Sequence, residues 1–151
     1  MGTRLESITN YKIIKSYLVL NSQLTESNIC VTIMNNDKLK IVEYLREGKS
    51  LFERWFNSLD AAPAAKITTA LYRLEQGNFS NVKSVGMGIL EYRIDFGPGY
   101  RIYFTREGNK LIILLCGGSK RTQRRDIKKA QVLWRQYKAD KRQKGKVGSW
   151  H

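Results

Sequence analysis

A chain of 151 residues, 42% hydrophobic and 11% aromatic, is long enough for one domain with a sizeable core and short for two. Its two cysteines, Cys30 and Cys116, have neither metal-ligand spacing nor a disulfide framework, and its one histidine is the terminal His151, so a zinc site, a His-based triad and any metal or cofactor are not expected. The net charge of +14 is concentrated: from Gly117 onward there are twelve basic and two acidic residues, against fifteen and eleven before it, which points to a polyanionic partner.

Residues 1–33 read as an N-terminal extension of unclear role, with an apolar run at Tyr17–Leu20 and a possible short strand at Ile29–Ile33. Met34 could serve as an alternative start. Glu6 and its polar neighbours interrupt any secretory signal, and Glu6 also stands where myristoylation needs Ser or Thr. No run approaches the ~20 apolar residues of a membrane helix, so no membrane partner is expected and the cytoplasm is the expected compartment.

Residues 34–138 carry the domain pattern. Leu39–Tyr44 reads as a strand, and Glu47–Ser50 as a turn whose Ser50 is placed to cap a helix. Leu51, Phe52, Trp55, Phe56 and Leu59 recur at helical spacing. Pro63 suits a first helical turn, and Ile67, Ala70, Leu71 and Leu74 continue the period up to Gly77. These two segments predict a helical hairpin, followed by a loop containing Val82–Val85.

Two strictly alternating strands then flank Gly97-Pro98-Gly99. A three-residue loop would pair Phe96 with Tyr100, Asp95 with Arg101 and Arg93 with Tyr103. One face collects Tyr92, Ile94, Phe96, Tyr100, Ile102 and Phe104 as core, and the other offers Arg93, Arg101 and Tyr103 to a phosphate. An Asp95–Arg101 cross-strand ion pair is the plainer use of those charges.

After a Glu107–Asn109 turn, Leu111–Cys116 is apolar throughout, as in a central strand covered on both faces, and Gly117-Gly118 closes it. Cys116 reads as a small packed hydrophobe. At ~100° per residue from Arg121, the side chains of Ile127, Ala130, Leu133, Trp134 and Tyr137 fall between about 120° and 240°, while Arg124, Arg125, Lys128 and Arg135 lie within about 60° of zero. This is an amphipathic helix with an apolar face for the sheet and a basic face outward. Asp126 falls on the sheet side, where it would pair with a sheet arginine or complement the helix dipole. Residues 139–151 read as a basic polar tail, frayed beyond Tyr137.

The order strand, helical hairpin, three antiparallel strands and basic C-terminal helix resembles the RelE/ParE superfamily of bacterial toxins, within it the HigB-like addiction module killer group. The resemblance rests on Gly77-Asn-Phe79, Val82–Gly86, Tyr92–Asp95, Gly97–Phe104, Leu114–Lys120, Thr122-Gln123, Asp126-Ile127 and Ala130, and spans roughly residues 38–138. It implies an α+β fold of RelE type and a toxin neutralised by an antitoxin, expected to be an acidic or helix-turn-helix protein encoded nearby. It also implies an endoribonuclease that cuts mRNA on the ribosome with the 2′-hydroxyl as nucleophile.

Arg101 matches the family's strand arginine and would stabilise charge building on the phosphate oxygens. Lys120 would add charge beside the last helix's N-terminus, Arg93 would position the RNA backbone, and Gln123 would contact a base or phosphate. Arg121, Arg124, Arg125 and Lys128 would follow the RNA phosphates. RelE-like nucleases usually place a tyrosine in the last helix, and some HigB relatives use histidines; neither stands near Asp126, which leaves Tyr103 or Asp126 to handle protons. A non-nucleolytic, ParE-like toxin that blocks DNA gyrase is the alternative, and a degenerate binding module a third reading.

Overall fold

The computed structural model describes residues 38–148, so the expectations for Tyr17–Leu20, Ile29–Ile33 and His151 fall outside it. The first strand, β1 (Lys40–Glu43), lies within the predicted segment. The two short strands β2 (Leu45–Arg46) and β3 (Lys49–Ser50) follow as a hairpin turned by Glu47 and Gly48, whose φ angles of 51° and 74° give the left-handed pair that a two-residue hairpin needs. Ser50 caps α1 (Leu51–Asn57): its Oγ accepts from the Glu53 N–H at 2.9 Å. The second helix, α2 (Ala61–Glu75), has Pro63 in its first turn, where a missing N–H costs nothing, and ends into Gly77 at φ 78°.

The remaining strands are β4 (Val82–Ser84), β5 (Leu90–Ile94), β6 (Tyr100–Glu107) and β7 (Leu111–Ser119). A 3₁₀ turn at Lys120–Thr122 leads into α3 (Gln123–Gly148). The five-stranded sheet runs β1-β7-β6-β5-β4, antiparallel except where β1 joins β7. With its helical hairpin and long basic C-terminal helix, this is the α+β architecture expected of a RelE-like fold. The segment expected as a loop holds β4, a strand of three residues and too short for alternation to show.

The sheet separates two cores. On one face Phe52, Phe56, Ile67, Leu71 and Leu74 of the hairpin pack on Tyr92, Ile102, Phe104, Ile112 and Leu114. On the other, Ala130 and Leu133 of α3 pack on Tyr103, Ile113 and Leu115. Each fully buried large side chain contributes roughly 1.5–3 kcal/mol, which is why β7, apolar on both sides, is central.

Three expectations change. The β5–β6 register slips by two: Arg93 lies opposite Arg101, Glu91 opposite Tyr103, and Ile94 opposite Tyr100. The Phe96 N–H bonds to the Ile94 carbonyl and the Gly99 N–H to the Phe96 carbonyl, two linked turns that take up Asp95–Gly99. A slip of two keeps side-chain parity, so both faces survive while the partners change. The Asp95–Arg101 pair is absent: Asp95 is exposed, and the carboxylate nearest Arg101 is that of Glu91.

The strand β7 does not stop at Cys116 but continues through both glycines to Ser119. A bulge beside Tyr103 and Phe104 puts Cys116 opposite Tyr103 and Leu114 opposite Phe104, so Leu115 is the extra residue. The shift in parity turns Gly117 to the Trp55 ring and Gly118 to Asp126.

The helix α3 runs well past Tyr137. The Tyr44 hydroxyl donates to Asp140 Oδ2 at 2.8 Å and Tyr137 to Glu107 Oε2 at 2.7 Å, with Lys141 also paired to Glu107. The apolar period ends at Tyr137, but good helix formers and these polar ties carry the helix on.

Candidate functional site

Where β5, β6 and β7 meet the start of α3, the sheet turns its polar residues toward the helix. Gly118, opposite Arg101 on β7, has no side chain, and that space is taken by Asp126 and Thr122. A Cβ there would overlap the Asp126 carboxylate and lie 2.9 Å from Thr122 Oγ1. The glycine therefore lets the first turn of α3 sit directly on the sheet.

Glu91 occupies the middle of this face and is 0% exposed. Its Oε2 accepts from Gln123 Nε2 at 2.8 Å and from the Tyr103 hydroxyl at 3.2 Å. Three cations surround the carboxylate: Arg101 Nε at 3.5 Å, Lys83 Nζ at 3.8 Å and Arg93 Nε at 4.0 Å. Glu91 escaped the sequence reading. Its signal was parity alone, the one carboxylate two residues before Arg93 on the strand face that also carries the arginines.

The expected residues fall into three groups. Arg101 is buried, 4% exposed, with Nη1 donating to the Gly99 carbonyl at 3.2 Å; the same carbonyl accepts the Lys120 N–H at 2.7 Å. Arg93 is half-exposed and shares the cluster. Lys120 is exposed, with its Cβ beside Gly99, the residue that Arg101 Nη1 also flanks. Gln123 holds Glu91 rather than facing outward. Lys83, on β4 where the sequence predicts a loop, joins the cluster as well.

The two residues expected to handle protons are both engaged inside the fold. Tyr103 is fully buried and donates to Glu91; burial first, then the Glu91 carboxylate, push its hydroxyl far above the usual phenol range, so it cannot serve as a base near neutrality. Asp126 is 3% exposed, accepts a hydrogen bond from the Thr122 hydroxyl, and pairs with Lys129 one turn on at 3.9 Å. Among the described residues it forms no ion pair with a sheet arginine, and its place in the first turn of α3 is the one that complements the helix dipole.

Cys116, packed as expected, points its Sγ at the Asp126 backbone carbonyl, and burial together with the Asp126 charge raises its thiol to about 12. Arg121, Arg124, Arg125 and Lys128 are exposed and, among the described residues, form no ion pair. Also among the described residues, no cluster of His, Cys, Asp or Glu could hold a metal, and no helix is long and apolar enough to cross a membrane.

Residues 54–138, from within α1 to well along α3, match the family described as "Phage derived protein Gp49-like (DUF891)". The chain belongs to the Gp49-like family. This Gp49-like chain is also similar to an uncharacterized protein of Haemophilus influenzae, 49% identical over 83 residues, or 54% of this chain and 84% of that one. No solved structure matches. The Gp49-like family is associated with the toxins of toxin–antitoxin systems, which implies an antitoxin as partner. The matched range contains every residue of the polar face, from Lys83 to Lys128.

Proposed function

We propose that this Gp49-like protein is a RelE- and HigB-like toxin that cleaves mRNA on the ribosome, with Arg101 at its centre. The observation that carries the reading is the convergence of Arg101, Arg93 and Lys83 on Glu91, which Gln123 ties to the start of a helix whose outward cations Arg121, Arg124, Arg125 and Lys128 form no ion pair among the described residues. In the reaction, the ribose O2′ forms a bond to phosphorus and the P–O5′ bond breaks, leaving a 2′,3′-cyclic phosphate and a 5′-hydroxyl. Negative charge grows on the phosphate oxygens, and positioned guanidinium and ammonium groups lower that barrier. Arg101 donates to the Gly99 carbonyl and stands 3.5 Å from the Glu91 carboxylate, which keeps its guanidinium within the cluster.

Arg93, Lys83 and Lys120, on the rim, hold the scissile phosphate, and Arg121, Arg124, Arg125 and Lys128 bind the flanking backbone. Since Tyr103 and Asp126 are both bonded within the protein, the proton leaving O2′ and the one gained by O5′ pass through groups that the ribosome supplies. The domain proper is taken as residues 34–138, with residues 1–33 an extension, and the cytoplasm is the compartment in which mRNA and ribosomes are met.

Primer extension on a reporter mRNA, with and without translating ribosomes, tests this. Cuts that need ribosomes and vanish in Arg101→Ala are expected. The engagement of Tyr103 and Asp126 favours one other reading, a ParE-like toxin that blocks DNA gyrase by binding. Intact mRNA in every lane, with toxicity retained and supercoiling by gyrase inhibited in vitro, would replace the nuclease with that toxin.

A further inference from the structure

The two oxygens of Glu91 are unequally satisfied. Oε2 has two donors, Gln123 and Tyr103, while Oε1 is buried and accepts no hydrogen bond. Arg101 Nε is likewise buried and makes no hydrogen bond, standing 3.5 Å from Oε2. Lys83 Nζ and Arg93 Nε stand at 3.8 and 4.0 Å from Oε1, beyond hydrogen-bond reach, and both side chains are about half exposed, 52% and 50%. Three cations thus aim at one carboxylate and none is seated on it. A buried carboxylate against three cations leaves an uncompensated charge of two, and two of the three side chains are free to turn outward.

We propose that the Glu91 carboxylate is a built-in competitor for the RNA phosphate: it holds Arg101, Arg93 and Lys83 converged and must yield them when a phosphodiester arrives. This rests on the reading that the Arg101 face binds RNA. The unseated geometry is what such a role requires. Fully seated, the cations would be spent on the protein's own carboxylate; without it, their mutual repulsion would splay them. Glu91 touches no reacting atom here and is a positioning residue.

Its removal therefore separates binding from turnover. A negative charge within several ångströms of the incoming phosphate opposes it by enough to shift affinity roughly tenfold in a partly screened site. The isosteric Glu91→Gln is expected to bind a 2′-O-methyl RNA oligonucleotide, which cannot be cut, about tenfold more tightly than the native protein. Cleavage of unmodified mRNA is expected to slow, because Arg101 loses its counter-ion. Glu91→Asp, which keeps the charge, is expected to show no gain in affinity.

Tyr103→Phe provides a second arm that does not depend on Glu91→Gln folding. The phenol is fully buried and cannot meet RNA, and its loss frees Oε2 to engage the cations, so binding is expected to weaken two- to threefold. Fluorescence anisotropy reads all three variants, with a thermal melt of each. Unchanged or weaker binding in a folded Glu91→Gln, or unchanged or tighter binding in Tyr103→Phe, overturns the proposal while leaving the RNA reading in place. Slower cleavage with unchanged affinity would mark Glu91 as a proton acceptor instead. If the native protein binds no oligonucleotide, the RNA reading and this proposal fall together.

Discussion

At the scale of single residues, Gly117 and Gly118 show how an absent side chain places chemistry. A Cβ on Gly117 would enter the Trp55 ring, and one on Gly118 would enter the Asp126 carboxylate. Gly118→Ala is expected to cost about 2–4 kcal/mol by overpacking, read as a fall in urea midpoint. In an Asp126→Ala background the same change should cost at least about 1 kcal/mol less, because the obstructing group is gone. An additive cycle would show that the overlap is relieved elsewhere.

Glu43 supplies the pH dependence. Burial, opposed by a hydrogen bond with Ser50 and reinforced by the Glu53 charge, raises its carboxyl from 4.5 to about 7. A group with the higher pKa in the folded state binds more protons when folded. Stability from Glu43 is therefore lost as pH rises from about 4.5 to about 7, and the loss is complete above the folded value. The partly exposed position screens the effect, leaving on the order of 1–2 kcal/mol. Urea denaturation at pH 5 and pH 8 should show Glu43→Gln gaining on the native protein by that amount at pH 8 and hardly at all at pH 5. An equal difference at both values would remove Glu43 from the account.

Among the elements, α3 does the most. Its inner face closes the second core and, through Gln123, reaches Glu91, while its outer face carries Arg121, Arg124, Arg125 and Lys128. If these cations follow RNA phosphates, replacing Arg124, Arg125 and Lys128 together with Ala should flatten the dependence of log affinity on log salt by about 2, at roughly 0.7 per contact on a single strand. An unchanged slope would leave the face simply solvated.

The elements were also where the sequence was most legible. Helical spacing located α1 and α2, and alternation located β5, β6 and their two faces. It could not locate β4, whose three residues hold barely one alternation, nor the end of α3, which is sustained by Tyr44, Tyr137 and Glu107 rather than by apolar period.

For the whole molecule, a net charge of +14 and an outer helix face whose cations Arg121, Arg124, Arg125 and Lys128 form no ion pair among the described residues favour an acidic partner surface, in keeping with the antitoxin that the family implies. Co-expression with the product of the neighbouring gene should give one complex on size-exclusion chromatography, its dissociation made easier by salt. Two separate peaks at low salt would rule that product out.

The sequence by itself determined the composition of the two sheet faces, the helical hairpin, the amphipathic final helix and the inward side of Asp126. Each depends on local periodicity, which a chain carries wherever it folds. Only the tertiary structure decided which residues meet across it. The two linked turns at Asp95–Gly99 set Arg93 against Arg101, and the bulge at Leu115 turned Gly118 toward Asp126. The packing of α3 then buried Tyr103 and Arg101 around Glu91. Register, bulge and burial depend on contacts between residues distant in sequence, and a shift of two positions preserves every periodic signal while exchanging every partner.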